Sequence, residues 1–399
     1  MQHKELIFVR GLLIASLVCS TVLAFGLTAS KTKWAILFLG LILVTPTLWF
    51  FATYLHRKQK PVEWLLSIAV LNLFVVVPEL ALRAVDFRYE SGIQWGWPRP
   101  SHFLFYEPDG KLFWKLKSSN PNVNSLGFPG KEIIFPKSNN VFRIMFLGDS
   151  VTQQGYPELV EHFLNTKSPG NPKKFECIKF AIAGYSSHQG RVLAEMYGIK
   201  HKPDLVFVYY GWNDHWQAYG ATDSGKRIKT SGNVWSKINS FAYHNIRLLQ
   251  GLTALRGAFG GQNAPTDEVR VPEEQYRENL RRIQKIFEIE NIPVVFITAP
   301  TSHYRLGVPD YLVDMGFVPD KQSAVKRHKE YNQIVKQVAK AGGSFLLDLE
   351  TEFSSTSDES LRAIFVNDGI HLTGIGVGIV AKRIVDFFET DLKFLSDRF

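Results

Sequence analysis

Ser150 lies near the end of the stretch Val141 to Thr152, VFRIMFLGDSVT, whose apolar run of Phe142, Ile144, Met145, Phe146 and Leu147 stops at Gly148-Asp149-Ser150. The pattern predicts a buried strand ending in a tight turn. A hydroxyl held there faces the crevice that α/β sheets form beyond the carboxyl ends of their strands. With a base beside it, such a serine is a nucleophile; without one, Gly-Asp-Ser is a strand-to-helix turn in which Ser150 caps the next helix. Among 11 histidines, His371 has the setting a base needs, in Val-Asn-Asp-Gly-Ile-His-Leu-Thr just before the last helical stretch, with Asp368 three residues ahead. That spacing brings a carboxylate to one imidazole nitrogen and leaves the other for the serine proton. The competing reading is that Asp368 and His371 cap the terminal helix. Acyl transfer also needs hydrogen-bond donors aimed at an oxyanion. Gly184 and Asn213 follow the second and third predicted strands at the same sheet edge as Ser150, where a glycine N–H approaches closely and an asparagine amide donates. Both are equally ordinary turn residues.

The elements that must position these groups follow from periodicity. Strands are predicted at Phe175 to Ala183, Leu205 to Tyr210, Pro293 to Ala299 and Ser344 to Leu349, besides the one before Ser150. Helices are predicted at Pro157 to Asn165, Gln189 to Gly198, Glu273 to Glu290, Ser323 to Lys340 and Thr373 to Thr390. Strands alternating with helices imply right-handed crossovers and an α/β fold, a flavodoxin-like three-layer sandwich around a five-stranded parallel sheet. Between Asp214 and Pro272 the chain makes an excursion too long for an ordinary connection, with a predicted helix around Ser236 to Arg256. A lid over the site, a substrate wall and a surface resting on a membrane are the roles open to this 215–272 insertion.

At 399 residues the chain has room for more than this domain. Gly11 to Ala29 and Trp34 to Tyr54 are uncharged apolar segments about long enough to cross a hydrocarbon core of roughly 30 Å. Val62 to Leu82 is a third, interrupted by Glu63 and Glu79. A cleaved signal peptide competes for the first segment, but no small-residue cleavage site separates it from the next apolar stretch. Lys4, Arg10, Arg57, Lys58 and Lys60 against Lys31, Lys33, Arg83 and Arg88 give a modest bias for an inside N-terminus. About three transmembrane helices (residues 1–85) then put the lead-in arm (86–140) and the α/β domain (141–399) outside the cytoplasm. The net charge of +9 suits an anionic membrane surface, and no nucleic-acid motif accompanies it. Cys19 and Cys177 are the two cysteines; with the first in an apolar segment, a disulfide and a cysteine-based metal site are both set aside.

The blocks Gly148-Asp149-Ser150-Val151, Gly184, Gly211-Trp212-Asn213-Asp214 and Asp368-Gly369-Ile370-His371 together resemble those of the SGNH (GDSL-type) hydrolase superfamily, over about residues 120 to 390. Val151 replaces the leucine of the name-giving motif, a swap of one apolar side chain for another. The resemblance implies Ser150 as nucleophile, His371 as base and then acid, and Asp368 as its orienting partner. It also implies an oxyanion hole of Ser150 N–H, Gly184 N–H and the Asn213 side chain, with no cofactor. Asn124-Ser125-Leu126-Gly127-Phe128 resembles the lead-in of bacterial membrane-anchored members, many of which act on acylated cell-surface glycans. The expectation is therefore a membrane-anchored serine esterase acting on O-acyl groups of a glycan. An O-acyltransferase served by a membrane-bound acyl-donor partner, an esterase of lipid ester substrates and a non-enzymatic glycan-binding module are the alternatives.

Outside these blocks, His188, His201 and His215 are expected as solvated loop histidines, and Lys326-Arg327-His328-Lys329 as a solvated helix face. Asp149 and Asp214 are expected as structural hydrogen-bonding residues; His303, after the fourth predicted strand, has the pocket rim within its reach, with substrate contact the less favoured reading.

Overall fold

Alternating apolar residues run through Val141–Gly148, so one strand feeds two cores. Phe142, Ile144 and Phe146 enter one buried cluster, while Met145 and Leu147 enter another on the opposite face. The computed structural model describes residues 63–85, 87, 106–167, 174–226, 246–259 and 265–396. Its strands in chain order are β1 (Tyr106–Asp109), β2 (Phe113–Leu116), β3 (Val141–Gly148), β4 (Lys174–Ala181), β5 (Leu205–Tyr209), β6 (Gln217–Tyr219), β7 (Pro265–Val269), β8 (Val294–Ile297) and β9 (Phe345–Leu347). The chain divides into two compact units, Met1–Ser91 with Ser231–Gly261, and Gly92–Thr230 with Gln262–Phe399.

In the second unit β4-β3-β5-β8-β9 form a five-stranded sheet, parallel at every pairing. In chain order this is 2-1-3-4-5, the doubly wound arrangement whose crevice opens where the strand order reverses, between β3 and β5. Helices Tyr156–Lys167 and Gly374–Thr390 pack on one face and Ser187–Leu193, Glu273–Glu288 and much of Lys321–Ala341 on the other. Gly148 pairs with Ala181 on one side and Tyr209 on the other, so three strands end level. The loops that follow them carry Ser150, Gly184 and Asn213.

Two short hairpins lack the periodicity that announces longer strands. β1 and β2 pair antiparallel within the arm, and β6 pairs with β7 across the excursion. The excursion's helix runs Arg247–Phe259, and residues 236–245 of the predicted one lie outside the described residues.

In the first unit the third apolar segment is helical over Glu63–Ala84. Its Glu79 is buried, receives Arg83 Nε at 2.8 Å, and accepts the Arg247 and Leu248 N–H groups at 3.0 and 2.7 Å. A carboxylate thus serves the first turn of helix Arg247–Phe259, where unpaired N–H groups need acceptors. Among the described residues no helix is long and apolar enough to cross a membrane. The first two apolar segments and Cys19 lie outside the described residues.

Candidate active site

β3 delivers Ser150 as the first residue of a short helix, Ser150–Gln153, whose cap is Asp149: its Oδ1 accepts the Val151 N–H at 2.9 Å. The capping role open to Ser150 thus belongs to its neighbour, and the serine hydroxyl is left for His371. Ser150 Oγ lies 2.7 Å from His371 Nε2, and His371 Nδ1 lies 2.6 Å from Asp368 Oδ2. Asp368 Oδ1 accepts the Ile370 and His371 N–H groups, each at 2.8 Å. The terminal helix is capped instead by Thr373, whose hydroxyl accepts the Gly376 N–H. Asp368 and His371 are therefore not its caps.

The turn that holds them is clamped from the loop after β8. Gly369 has φ +70°, and a Cβ there would run into the His303 ring and Ser302. Its carbonyl accepts Thr301 Oγ1–H at 2.9 Å and the Ser302 N–H at 3.1 Å. His303 Nε2 donates to the Asp368 carbonyl at 2.7 Å. His303 is 4% exposed, so it braces the Asp368–His371 turn from behind and does not stand at the rim.

Electrostatics follow from this packing. Burial draws the His371 pKa down, but the hydrogen bond to Asp368 and the charges of Asp368 and Asp149 outweigh it, and the net direction is up. Burial raises Asp368, yet the His371 bond and charge and two backbone N–H bonds hold its carboxyl below the ordinary value. Asp149 is pushed up to about 7 by burial, against the Val151 N–H, the His371 charge and Asn213.

Asn213 Nδ2 donates to the Tyr185 carbonyl at 3.1 Å and to Asp149 Oδ2 at 3.3 Å, linking the third strand-end loop to the other two. Gly184, at φ +83°, adopts a conformation that favours glycine. Among the described residues neither the Gly184 N–H nor the Ser150 N–H donates to a protein acceptor. The structure therefore brings Ser150, His371 and Asp368 into one relay and sets Asn213 against Asp149 and Tyr185, beside Gly184, with the asparagine amide engaged.

Behind the Gly184 loop lies a buried ionic cluster that no motif signals. Arg270 Nη1 donates to the Gly184 carbonyl at 2.9 Å, while its Nη2 meets Asp223 Oδ2 at 2.8 Å. Lys226 Nζ lies 2.6 Å from Asp223 Oδ1, and Ser186 Oγ–H donates to Asp223 Oδ2 at 2.7 Å. Burial opposes the charge on Asp223, but the two cations hold its carboxyl far below the usual range. The parts of the excursion flanking its helix thus supply support beneath the Gly184 loop. Asp214, also buried, accepts the Ser187 N–H at 2.9 Å in the same region, and burial pushes it up to about 7.

The histidines correct two expectations. His201 and His215 are buried, and His188 stacks on Phe113 with ring centroids 5.6 Å apart. His328, within the basic run, is also buried; it stacks on Trp212 at 3.8 Å and donates from Nε2 to the Ala299 carbonyl at 2.8 Å. Its Nδ1 then accepts from His215 Nε2 at 3.1 Å. Aromatic partners from separate elements cover these imidazoles, and burial holds His215 at about 3, so it stays neutral.

A family model described as "GDSL-like Lipase/Acylhydrolase family" matches residues 146–378. No curated protein matches the chain. Among solved structures, the lipase/acylhydrolase from Enterococcus faecalis is 17% identical, with 62% of this chain and 94% of that chain covered and a TM-score of 0.39. The acetyl xylan esterase AlAXEase is 19% identical over 61% of this chain and 98% of its own, with a TM-score of 0.40. The acetylxylan esterase Axe2 from Geobacillus stearothermophilus is 16% identical over 61% of this chain and 92% of its own, with a TM-score of 0.38.

Proposed function

The chain belongs to the GDSL-like lipase/acylhydrolase family and is an SGNH-type ester hydrolase, and from that premise we propose that it is a membrane-anchored serine esterase that removes O-acyl groups, O-acetyl foremost, from a cell-surface glycan. The observation that carries the catalytic part is the unbroken relay from Ser150 Oγ through His371 to Asp368, at 2.7 and 2.6 Å.

In this reading Nδ1–H of His371 points at Asp368, so Nε2 is the free base. Ser150 Oγ attacks the ester carbonyl carbon as its proton passes to Nε2. The carbonyl oxygen becomes an oxyanion facing the Ser150 and Gly184 N–H groups. Asn213 joins them by giving up its 3.3 Å bond to Asp149, the longer of its two. Collapse of the tetrahedral species breaks the bond to the alcohol, which leaves with the proton from His371. Water then attacks the acyl-enzyme, its proton passing through His371 to Ser150 Oγ as the carboxylic acid departs.

Anchoring through the N-terminal apolar segments, with the catalytic domain outside the cytoplasm, belongs to the same proposal. The two uncharged segments Gly11 to Ala29 and Trp34 to Tyr54 support it. So do Phe74, Val75 and Val77, exposed apolar side chains on helix Glu63–Ala84. Carbonate-resistant membrane association and protease access to the catalytic domain from outside are the expected results.

Ser150→Ala in the full-length protein should abolish ester hydrolysis and fluorophosphonate labelling while the melting temperature holds; unchanged turnover sinks the assignment. Incubation with an acyl donor, with and without acetylated or bare glycan, separates routes through one acyl-enzyme. Free acid released from acetylated glycan supports the esterase, and acyl groups appearing on bare glycan would replace it with a transferase.

A further inference from the structure

The helix that carries Ser150 ends in two consecutive glutamines whose side chains reach opposite walls of the site. Gln153 Oε1 accepts the Ala183 N–H at 2.6 Å, immediately before Gly184. Gln154 makes a two-way bridge to Leu372, immediately after His371: its Nε2 donates to the Leu372 carbonyl at 2.8 Å and its Oε1 accepts the Leu372 N–H at 2.9 Å. The platform under both amides is itself tied to β4, because Lys179 Nζ donates to the Gln153 carbonyl at 3.2 Å and pairs with Glu158 at 2.6 Å.

We infer that Gln153 and Gln154 are positioning residues, a brace that sets the nucleophile against the oxyanion loop on one side and the base loop on the other. The inference rests on the proposed roles of Ser150, His371 and Gly184. Neither glutamine belongs to the motif blocks, and neither reaches the Ser150–His371–Asp368 relay directly.

Geometry explains why such a brace matters. Ser150 comes from a helix start and Gly184 and His371 from two separate loops, and no covalent constraint fixes the distance between them. A serine-to-imidazole hydrogen bond weakens steeply as donor and acceptor part, and a misplacement of about 1 Å can cost on the order of 100-fold in rate. Gln154 is exposed, so water would satisfy its amide and the Leu372 backbone groups equally well. What water cannot do is hold the two loops at a fixed separation. A two-way amide bridge fixes both distance and twist, as a rung of a β-ladder does, and a single acceptor at Ala183 N–H fixes the approach of the glycine behind it.

The test uses the full-length protein and hydrolysis of p-nitrophenyl acetate. Gln154→Met and Gln153→Met keep side-chain length and remove the hydrogen bonds. Each should lower kcat by about 10- to 100-fold, with KM little changed and the melting temperature held. Gln153→Glu keeps the acceptor for Ala183 and should restore most of what Gln153→Met loses, an outcome that loss of packing alone would not produce. Wild-type kcat in both Met variants, beside an inactive Ser150→Ala, overturns the brace and leaves the relay standing. Active Ser150→Ala overturns the relay itself. If a Met variant loses melting temperature together with kcat, the Glu variant decides: failure to restore kcat overturns the positioning role.

Discussion

Asp368 divides its two carboxylate oxygens between its own turn and the imidazole: Oδ1 takes two backbone N–H groups and Oδ2 takes His371 Nδ1. Replacing it by Asn leaves an acceptor for the turn but turns an NH₂ toward Nδ1, which then carries no proton, and Nε2 loses its lone pair to the tautomer shift. Asp368→Asn should therefore cut kcat by on the order of 10⁴-fold. The pH profile supplies a second readout. His371 must be neutral to accept the serine proton, so activity is lost as pH falls through its pKa, and the net upward shift puts that acid limb above the ordinary value of about 6.5. Removing Asp368 takes away both its hydrogen bond and its charge, so the limb in kcat/KM should move to lower pH. These residues were readable from the sequence because their setting is local: a strand-ending Gly-Asp-Ser, and an Asp three residues before a His in one turn. Gln153, Gln154 and Arg270 were not, because their partners Ala183, Leu372 and Gly184 are 30, 218 and 86 residues away and no periodicity links them.

At the level of elements, the five strands and the long helices declared themselves through apolar runs and 3.6-residue periods, whereas the β1–β2 and β6–β7 hairpins did not. Their strands are mostly polar or aromatic and carry no apolar run, whereas β8 and β9, which are no longer, are wholly apolar. Nor did the pattern explain Arg143, a cation inside the apolar run of β3. It is 1% exposed, with Nε 2.6 Å from Glu176 Oε2 and its other nitrogens donating to the His201 and Ile134 carbonyls at 2.8 Å each. One guanidinium thus joins β3 to β4, to the turn before β5 and to the arm. Arg143→Ala would strand the partly buried Glu176 and orphan two carbonyls, a loss of about 3–5 kcal/mol. A lower urea midpoint at unchanged m-value is the expected measurement.

Across the whole molecule, the buried Asp223–Arg270–Lys226 cluster ties the chain's acid tolerance to the Gly184 loop. The folded Asp223 pKa lies below the unfolded value of about 3.9, so its stabilisation is present above that value and is lost as pH falls through the folded one. Asp223→Asn leaves two buried cations without their carboxylate. It should lower the melting temperature sharply at pH 7 and show a smaller further loss than wild type on acidification to pH 2, read by thermal melts across pH. The excursion's contribution was invisible in sequence because a charge gives no sign of burial until its partners are known; the same holds for the imidazoles of His215 and His328. Glu79 carries this logic into the order of synthesis. The N–H groups that it accepts belong to Arg247 and Leu248, 168 and 169 residues downstream. While the chain emerges from the ribosome, β3, β4 and β5 are all made before helix Arg247–Phe259 exists. For that interval Glu79 has only Arg83, four residues away, among the partners seen in the finished fold. The first unit, begun at the N-terminus, is thus completed only after the first three strands of the second unit's sheet have been made.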